Sequence, residues 1–210
     1  TMRGIVRLAL QHGAAIGAHP GYRDRANFGR VPLDLPRRTL VDDILAQIED
    51  LRAIAQDAGA ALFHVKVHGA LYNRGERDPD VARTIVAAVR EADEDLVLFA
   101  PPGSAMEAAA REMGLHVARE GFVDRAYESD GTLRSRRRPG AVHTDPRVAA
   151  AQALSFALDG GVRAVDGTFL ALEIDTLCIH GDTPNAVAIA RAGRAALEGA
   201  GVAVRAFARG

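Results

Sequence analysis

The chain has 210 residues, 26 Lys and Arg against 27 Asp and Glu, a net charge of −1, and 48% hydrophobic and 25% charged residues. That length suits one sizeable core, so a single domain over 1–210 is expected, and the near-neutral balance gives no reason to expect nucleic acid or an anionic membrane as partner. One cysteine, Cys178, cannot close an internal disulfide, no apolar run reaches membrane-spanning length and no leader pattern is present, which predicts a cytoplasmic protein with small-molecule or protein partners.

Thr1-Met2-Arg3 runs straight into a helical pattern over 2–12 that no strand precedes, so the opening βα unit of a closed barrel is expected to be missing. A short apolar strand, 14–18, leads into His19-Pro20-Gly21-Tyr22 and a loop, 20–35, longer than a mere connection needs. In the helix over 37–58, Leu40, Ile44, Ile48, Leu51 and Ile54 recur at three or four residues as one buried stripe. The strand 61–66 ends in Lys66-Val67-His68-Gly69. Asp78-Pro79 opens a helix over 79–91, a capping carboxylate before a proline whose missing N–H costs nothing at the first helical position. After the strand 96–100, Ser104 and Glu107 form a capping box for a helix over 104–113. The strand 115–118 enters a second long loop, 120–144. It carries Phe122-Val123-Asp124-Arg125 and the basic run Arg134-Ser135-Arg136-Arg137-Arg138, which is either a solvated loop or an anion site. Asp145-Pro146 and Thr183-Pro184 open helices over 146–158 and 184–199 in the manner of Asp78-Pro79. Between them, 162–173 with Asp166-Gly167 reads as a hairpin inserted before the strand 176–180, which ends in His180-Gly181-Asp182. Gly13, Gly59, Gly114 and Gly201 mark helix stops, and a strand over 202–207 closes the pattern.

Strands alternating with helices imply parallel pairing through right-handed crossovers, a doubly wound sheet or, with six or seven units, a (β/α) barrel. In either, the loops at the C-terminal strand ends open on one face, which is where all four polar motifs lie. Strand alternation puts His64 and Lys66 on one face and Phe63 and Val65 on the other, so with helices over the apolar face the first two point into the barrel. A lysine aimed inward needs a carboxylate or an anionic substrate group, whereas His64 could equally pack in the core. His19, His68 and His180, with Asp124 and Asp182, are either acid–base and orienting groups or ligands for a divalent metal. No short metal motif is present, but ligands from separate strands need none. Arg30, Arg125 and Arg136 are candidate carboxylate or phosphate clamps, or surface ion pairs. There is no phosphate loop, dinucleotide fingerprint or nucleophile elbow, and Cys178 reads as packing rather than nucleophile.

The stretches Gly17-Ala18-His19-Pro20-Gly21-Tyr22, Phe28-Gly29-Arg30 and His64-Val65-Lys66-Val67-His68-Gly69-Ala70-Leu71-Tyr72-Asn73 form a recognisable series. It continues with Phe122-Val123-Asp124-Arg125-Ala126-Tyr127, Asp130-Gly131-Thr132-Leu133, Arg136 with Pro139-Gly140-Ala141, and Cys178-Ile179-His180-Gly181-Asp182. In order and spacing the whole chain resembles the family of 5-oxoprolinase A subunits, also called the LamB/YcsF or lactam-utilisation family. The resemblance implies an α/β fold, a distorted TIM-like (β/α) barrel of the glycoside hydrolase/deacetylase type. It also implies cleavage of the lactam 5-oxoproline to glutamate with ATP as co-substrate, together with subunits B and C. A five-membered lactam is a stabilised amide, and phosphorylating its oxygen would make the carbon electrophilic. Lacking a phosphate loop, the chain is expected to leave ATP to its partner subunits. On this resemblance His19, Lys66, His68, Asp124, His180 and Asp182 are expected to be catalytic, and His64, Tyr72, Asn73, Arg125 and Arg136 to bind substrate. Within that set Lys66 and Arg125 would hold a carboxylate or phosphate, while His19, His68, His180 and Asp182 position and activate water. A divalent metal is left open. The chain has Lys66-Val67-His68 where the family reads Lys-Pro-His, and nothing before Thr1 matches the family's acidic opening segment. Two rivals remain: a metal-dependent deacetylase or amidase acting without ATP, and a non-catalytic substrate-binding subunit.

Overall fold

The computed structural model describes residues 1–206, which fall into two compact units divided after Ala118. In the first, the order is α1 (Met2–Gln11), β1 (Ile16–Ala18), α2 (Arg37–Asp57), β2 (Leu62–Val65), α3 (Gly69–Arg77), α4 (Pro79–Ala92), β3 (Val97–Ala100) and α5 (Ala105–Glu112). β2 lies between β1 and β3 and pairs parallel with both, with His64 opposite Gly17 on one side and Val97 on the other. The class is thus the expected α/β one, parallel strands joined through helices as in a TIM-like barrel.

Apolar stripes hold the unit together. Leu40, Val41, Ile44, Ile48 and Ala55 of α2 are buried, and α2 packs on α4, whose Val81, Ala82, Ile85, Val86, Ala88 and Val89 are buried in turn. Each fully buried Ile or Val contributes about 1.5–3 kcal/mol. Leu51 and Ile54, expected in the stripe, are only half-buried; Leu51 borders a cavity instead. The caps form as the sequence predicts. The Asp78 carboxylate accepts from Asp80 N and Val81 N, and Ser104 Oγ accepts from Glu107 N while Glu107 Oε2 accepts from Gly103 N.

Sequence patterning does not reveal α3. Its low hydropathy and two glycines argue against a helix, yet Gly75 is where α3 meets α4 and α5: a Cβ there would stand 2.7 Å from Ile85 Cδ1 and 2.8 Å from Met106 Sδ. The glycine that weakens the helix locally is what lets it pack.

β4 (Val117–Phe122) leads into the second unit, which continues with α6 (Pro146–Leu154), a π-helical turn at Ser155–Asp159, β5 (Gly161–Arg163), β6 (Phe169–Ala171), β7 (Thr176–Cys178) and α7 (Ala186–Gly199). β4 and β7 run parallel, Phe122 opposite Cys178, and β5 and β6 form the expected antiparallel hairpin. α6 packs on α7 through Val123, Ala149, Ala153, Ile189 and Leu197, with Leu177 and Ile179 against the same cluster. Two boundaries differ from expectation. β4 runs on through Arg119-Glu120-Gly121, whose polarity reads as loop, because Glu120 and Gly121 pair with Thr176 and Leu177 of β7. α7 starts after Asn185 rather than at Pro184, since the Thr183 hydroxyl is engaged elsewhere. Residues 202–206 form no strand, and Phe207 lies outside the described residues.

Candidate active site

In the first unit, parallel pairing brings the chain after β1 alongside the chain after β2. Lys66 N donates to Ala18 O at 3.0 Å and His68 N to Pro20 O at 2.7 Å, so His19 and His68 leave adjacent strand ends. The His19 ring donates through Nδ1 to the Lys66 carbonyl at 2.5 Å, its Nε2 lies 2.9 Å from His68 Nδ1, and His68 Nε2 donates to the Phe28 carbonyl at 2.9 Å. Phe28 takes the left-handed conformation, φ 55°, and its ring meets His68 edge to face. The 20–35 loop is fastened at both ends of this contact. Gln47 of α2 brackets Gly21, donating to its oxygen at 2.9 Å and accepting from its nitrogen at 3.1 Å. Ala70 N donates to Gly29 O at 2.9 Å, and Gly69, φ 60°, lies so close that a Cβ would be 2.6 Å from that same oxygen.

Lys66 Nζ sits 5.1 Å from the centre of the buried Tyr72 ring, a cation–π contact, and Asn73 beside it is exposed. His64 shares its sheet face with Gly17 and Phe99, stacking on Phe99 with ring centres 4.3 Å apart and planes 7° from parallel. Gly17 is required there, because a Cβ would fall inside the imidazole. Burial, aided by the charge of Lys66, pushes the His64 pKa down to about 4, so the ring is neutral at pH 7; its Nδ1 is buried without a hydrogen-bond partner. His19, Gly17, Gln47 and His64 also border a cavity of about 630 Å³.

The second unit builds a different arrangement. Asp124 follows β4 and is fully buried; its carboxylate accepts from His180 Nδ1 at 3.0 Å, from His180 N at 3.1 Å and from Thr183 Oγ1 at 2.6 Å. Burial alone would raise its pKa, but the hydrogen bonds from His180 and Thr183 outweigh that and hold it below the usual carboxylate value. With Nδ1–H committed to Asp124, neutral His180 presents a bare Nε2, the tautomer of a general base. Its ring is a quarter exposed and stacks on Phe122, which prevents it from turning. Arg125 is buried and donates to the carbonyls of Ala141 at 3.1 Å and Arg134 at 2.6 Å, tying down the long loop after β4. Arg136 and Asp182 are exposed. Arg30, in the first unit, lies over the Phe28 ring.

Sequence reasoning misses Thr183, which reads as a helix cap, and His143. His143 N donates to Asp124 O at 2.9 Å, and burial lowers the pKa of its ring, which bonds the Gln152 side chain. A histidine two residues before the Asp145-Pro146 cap is the available signal. Among the described residues no group of three or more His, Cys, Asp or Glu is placed to hold a metal ion, and no helix is long and apolar enough to cross a membrane.

Residues 1–210 match the family model described as LamB/YcsF family. The chain is 49% identical over 205 residues to the 5-oxoprolinase A subunit of Heliobacterium modesticaldum, covering 98% of this chain and 81% of that protein. It is 48% identical over 206 residues to the 5-oxoprolinase A subunit of Bordetella pertussis, covering 98% and 82%. The crystal structure of the lactam utilization protein from Thermus thermophilus superposes with a TM-score of 0.91 at 48% identity, covering 98% of this chain and 82% of that one.

Proposed function

The chain belongs to the LamB/YcsF family, and on that footing we propose that it is the A subunit of an ATP-dependent 5-oxoprolinase that opens the lactam of 5-oxoproline to glutamate together with subunits B and C. The proposal draws on the near-half identity, over almost the whole chain, to proteins named as 5-oxoprolinase A subunits. The Asp124–His180 pair is the observation that supports hydrolytic chemistry in this chain. A buried carboxylate holding one imidazole nitrogen leaves the other to take a proton from water attacking an amide carbon, and later to return it to the departing nitrogen. Thr183 keeps the carboxylate ionised and in place. Lys66, an ammonium beside an aromatic face, suits the phosphate that ATP would place on the amide oxygen. ATP, handled by the partner subunits, supplies the driving force: its terminal phosphoryl group passes to the amide oxygen with loss of ADP and leaves as inorganic phosphate when a second water completes the carboxylate; the residues here bind, orient and move protons. The ring nitrogens of His19 and His68 are engaged with protein groups, which leaves Nε2 of His180, whose Nδ1 is held by Asp124, as the group for acid–base work.

The test is reconstitution of the full chain with its candidate B and C subunits. Glutamate should form from 5-oxoproline only when ATP is supplied. An assembled complex that makes glutamate equally well without ATP, or none under any condition, refutes the reading.

A further inference from the structure

The contacts of His19 and His68 determine how many protons the pair can hold. A carbonyl oxygen only accepts, so His19 Nδ1 against the Lys66 oxygen and His68 Nε2 against the Phe28 oxygen both carry hydrogen. The other two nitrogens, His19 Nε2 and His68 Nδ1, face each other at 2.9 Å. If both rings were neutral, these would be two lone pairs head-on; if both were charged, two N–H groups head-on. One proton between them satisfies every nitrogen at once. The rings cannot easily escape this by turning, since Phe28 packs edge-on against His68 and the two imidazoles meet at 72° with centres 4.8 Å apart.

We propose that His19 and His68 act as one imidazole–imidazolium unit holding a single shared proton, and so one positive charge, at neutral pH, and that this charge receives the carboxylate of a small-molecule ligand. The carboxylate rests on the lactam-acid reading above; the proton count does not. Around the pair, His64 and Lys66 come from the β2 segment, Arg25 and Arg30 from the loop after β1, and Asp50 from α2 on the shared cavity. His64 is neutral at this pH and the charges bordering the same cavity, Arg25 and Asp50, are of opposite sign, so the hydrogen-bond pattern sets the proton count.

Nitrogen-15 NMR of the full chain labelled at histidine tests this. At pH 7 a strongly downfield N–H···N proton is expected, with coupling across it between His19 Nε2 and His68 Nδ1. Both the proton and the coupling should vanish in His19→Asn and in His68→Gln. On raising the pH the pair should release its proton in one coupled step rather than two. Two neutral imidazoles without coupling at pH 7, or two rings titrating independently near the ordinary histidine value, overturn the proton count in the unmodified chain, so no variant needs to fold for the test to decide. Adding 5-oxoproline should shift the shared proton, and the uncharged lactam 2-pyrrolidinone should not. Equal shifts, or none with 5-oxoproline, overturn the carboxylate assignment. A complex that forms no glutamate while the coupling persists counts against the reaction and not against the pair.

Discussion

A histidine stacked flat on a phenylalanine and walled by a glycine has little water to stabilise a charge, and His64 is held neutral down to a pKa of about 4. In the unfolded chain it titrates near 6.5. Between these values the unfolded state binds the extra proton, so stability rises with pH across this window and is lost as pH falls through it, by up to roughly 3 kcal/mol. His64→Phe keeps the stack and removes the titration. Urea melts from pH 4 to 7 should therefore show a shallower slope in the variant, and identical slopes would contradict the account. Asp124 behaves in the opposite sense. Its folded pKa is depressed, so its contribution is present above the unfolded value near 3.9 and disappears as pH falls through the folded one. Thr183→Val leaves that carboxylate short of a donor at full burial and should cost about 1–3 kcal/mol in the same melts. A loss within about 0.3 kcal/mol would mean the hydroxyl is not its partner in solution.

At the scale of elements, the loop after β1 is held by main-chain contacts that only glycine permits. Gly69→Ala combines a left-handed backbone with a Cβ 2.6 Å from the Gly29 oxygen, so Gly29 and its neighbour Phe28, which anchors His68, must move. We expect a loss of about 2 kcal/mol, with amide exchange accelerated in Tyr22–Gly29 while α4 and α5 stay protected. Uniform acceleration, or none, would show that the loop is not fastened there. The same locality explains what is legible without coordinates. α4, α5 and α6 announce themselves because Asp78, Ser104 and Asp145 cap within a few residues, and the α2 stripe repeats along the helix. α3 stays hidden because Gly75 is chosen by its neighbours Ile85 and Met106, distant in sequence. β4 looks shorter than it is because Glu120 is a buried acid on a strand, a placement that local polarity argues against. Thr183-Pro184 looks like the other caps, but the hydroxyl goes to a carboxylate 59 residues away.

For the molecule as a whole, the residue types of the site are legible in the sequence and their pairing is not. Four motifs after apolar runs single out His19, Lys66, His68, Asp124 and His180, yet nothing in their spacing says that His19 bonds His68, or that Asp124 orients His180. Those pairings come from the parallel register of β1 with β2 and of β4 with β7. On this reading the chain itself supplies the base for lactam opening. That role is tested most directly by the rate of ATP-dependent glutamate formation by the B- and C-containing complex carrying Asp124→Asn or His180→Ala, with assembly verified. Both variants should fall by about 10²–10⁴-fold. A rate within about twofold of the unmodified complex, with the chain folded and assembled, would contradict that role.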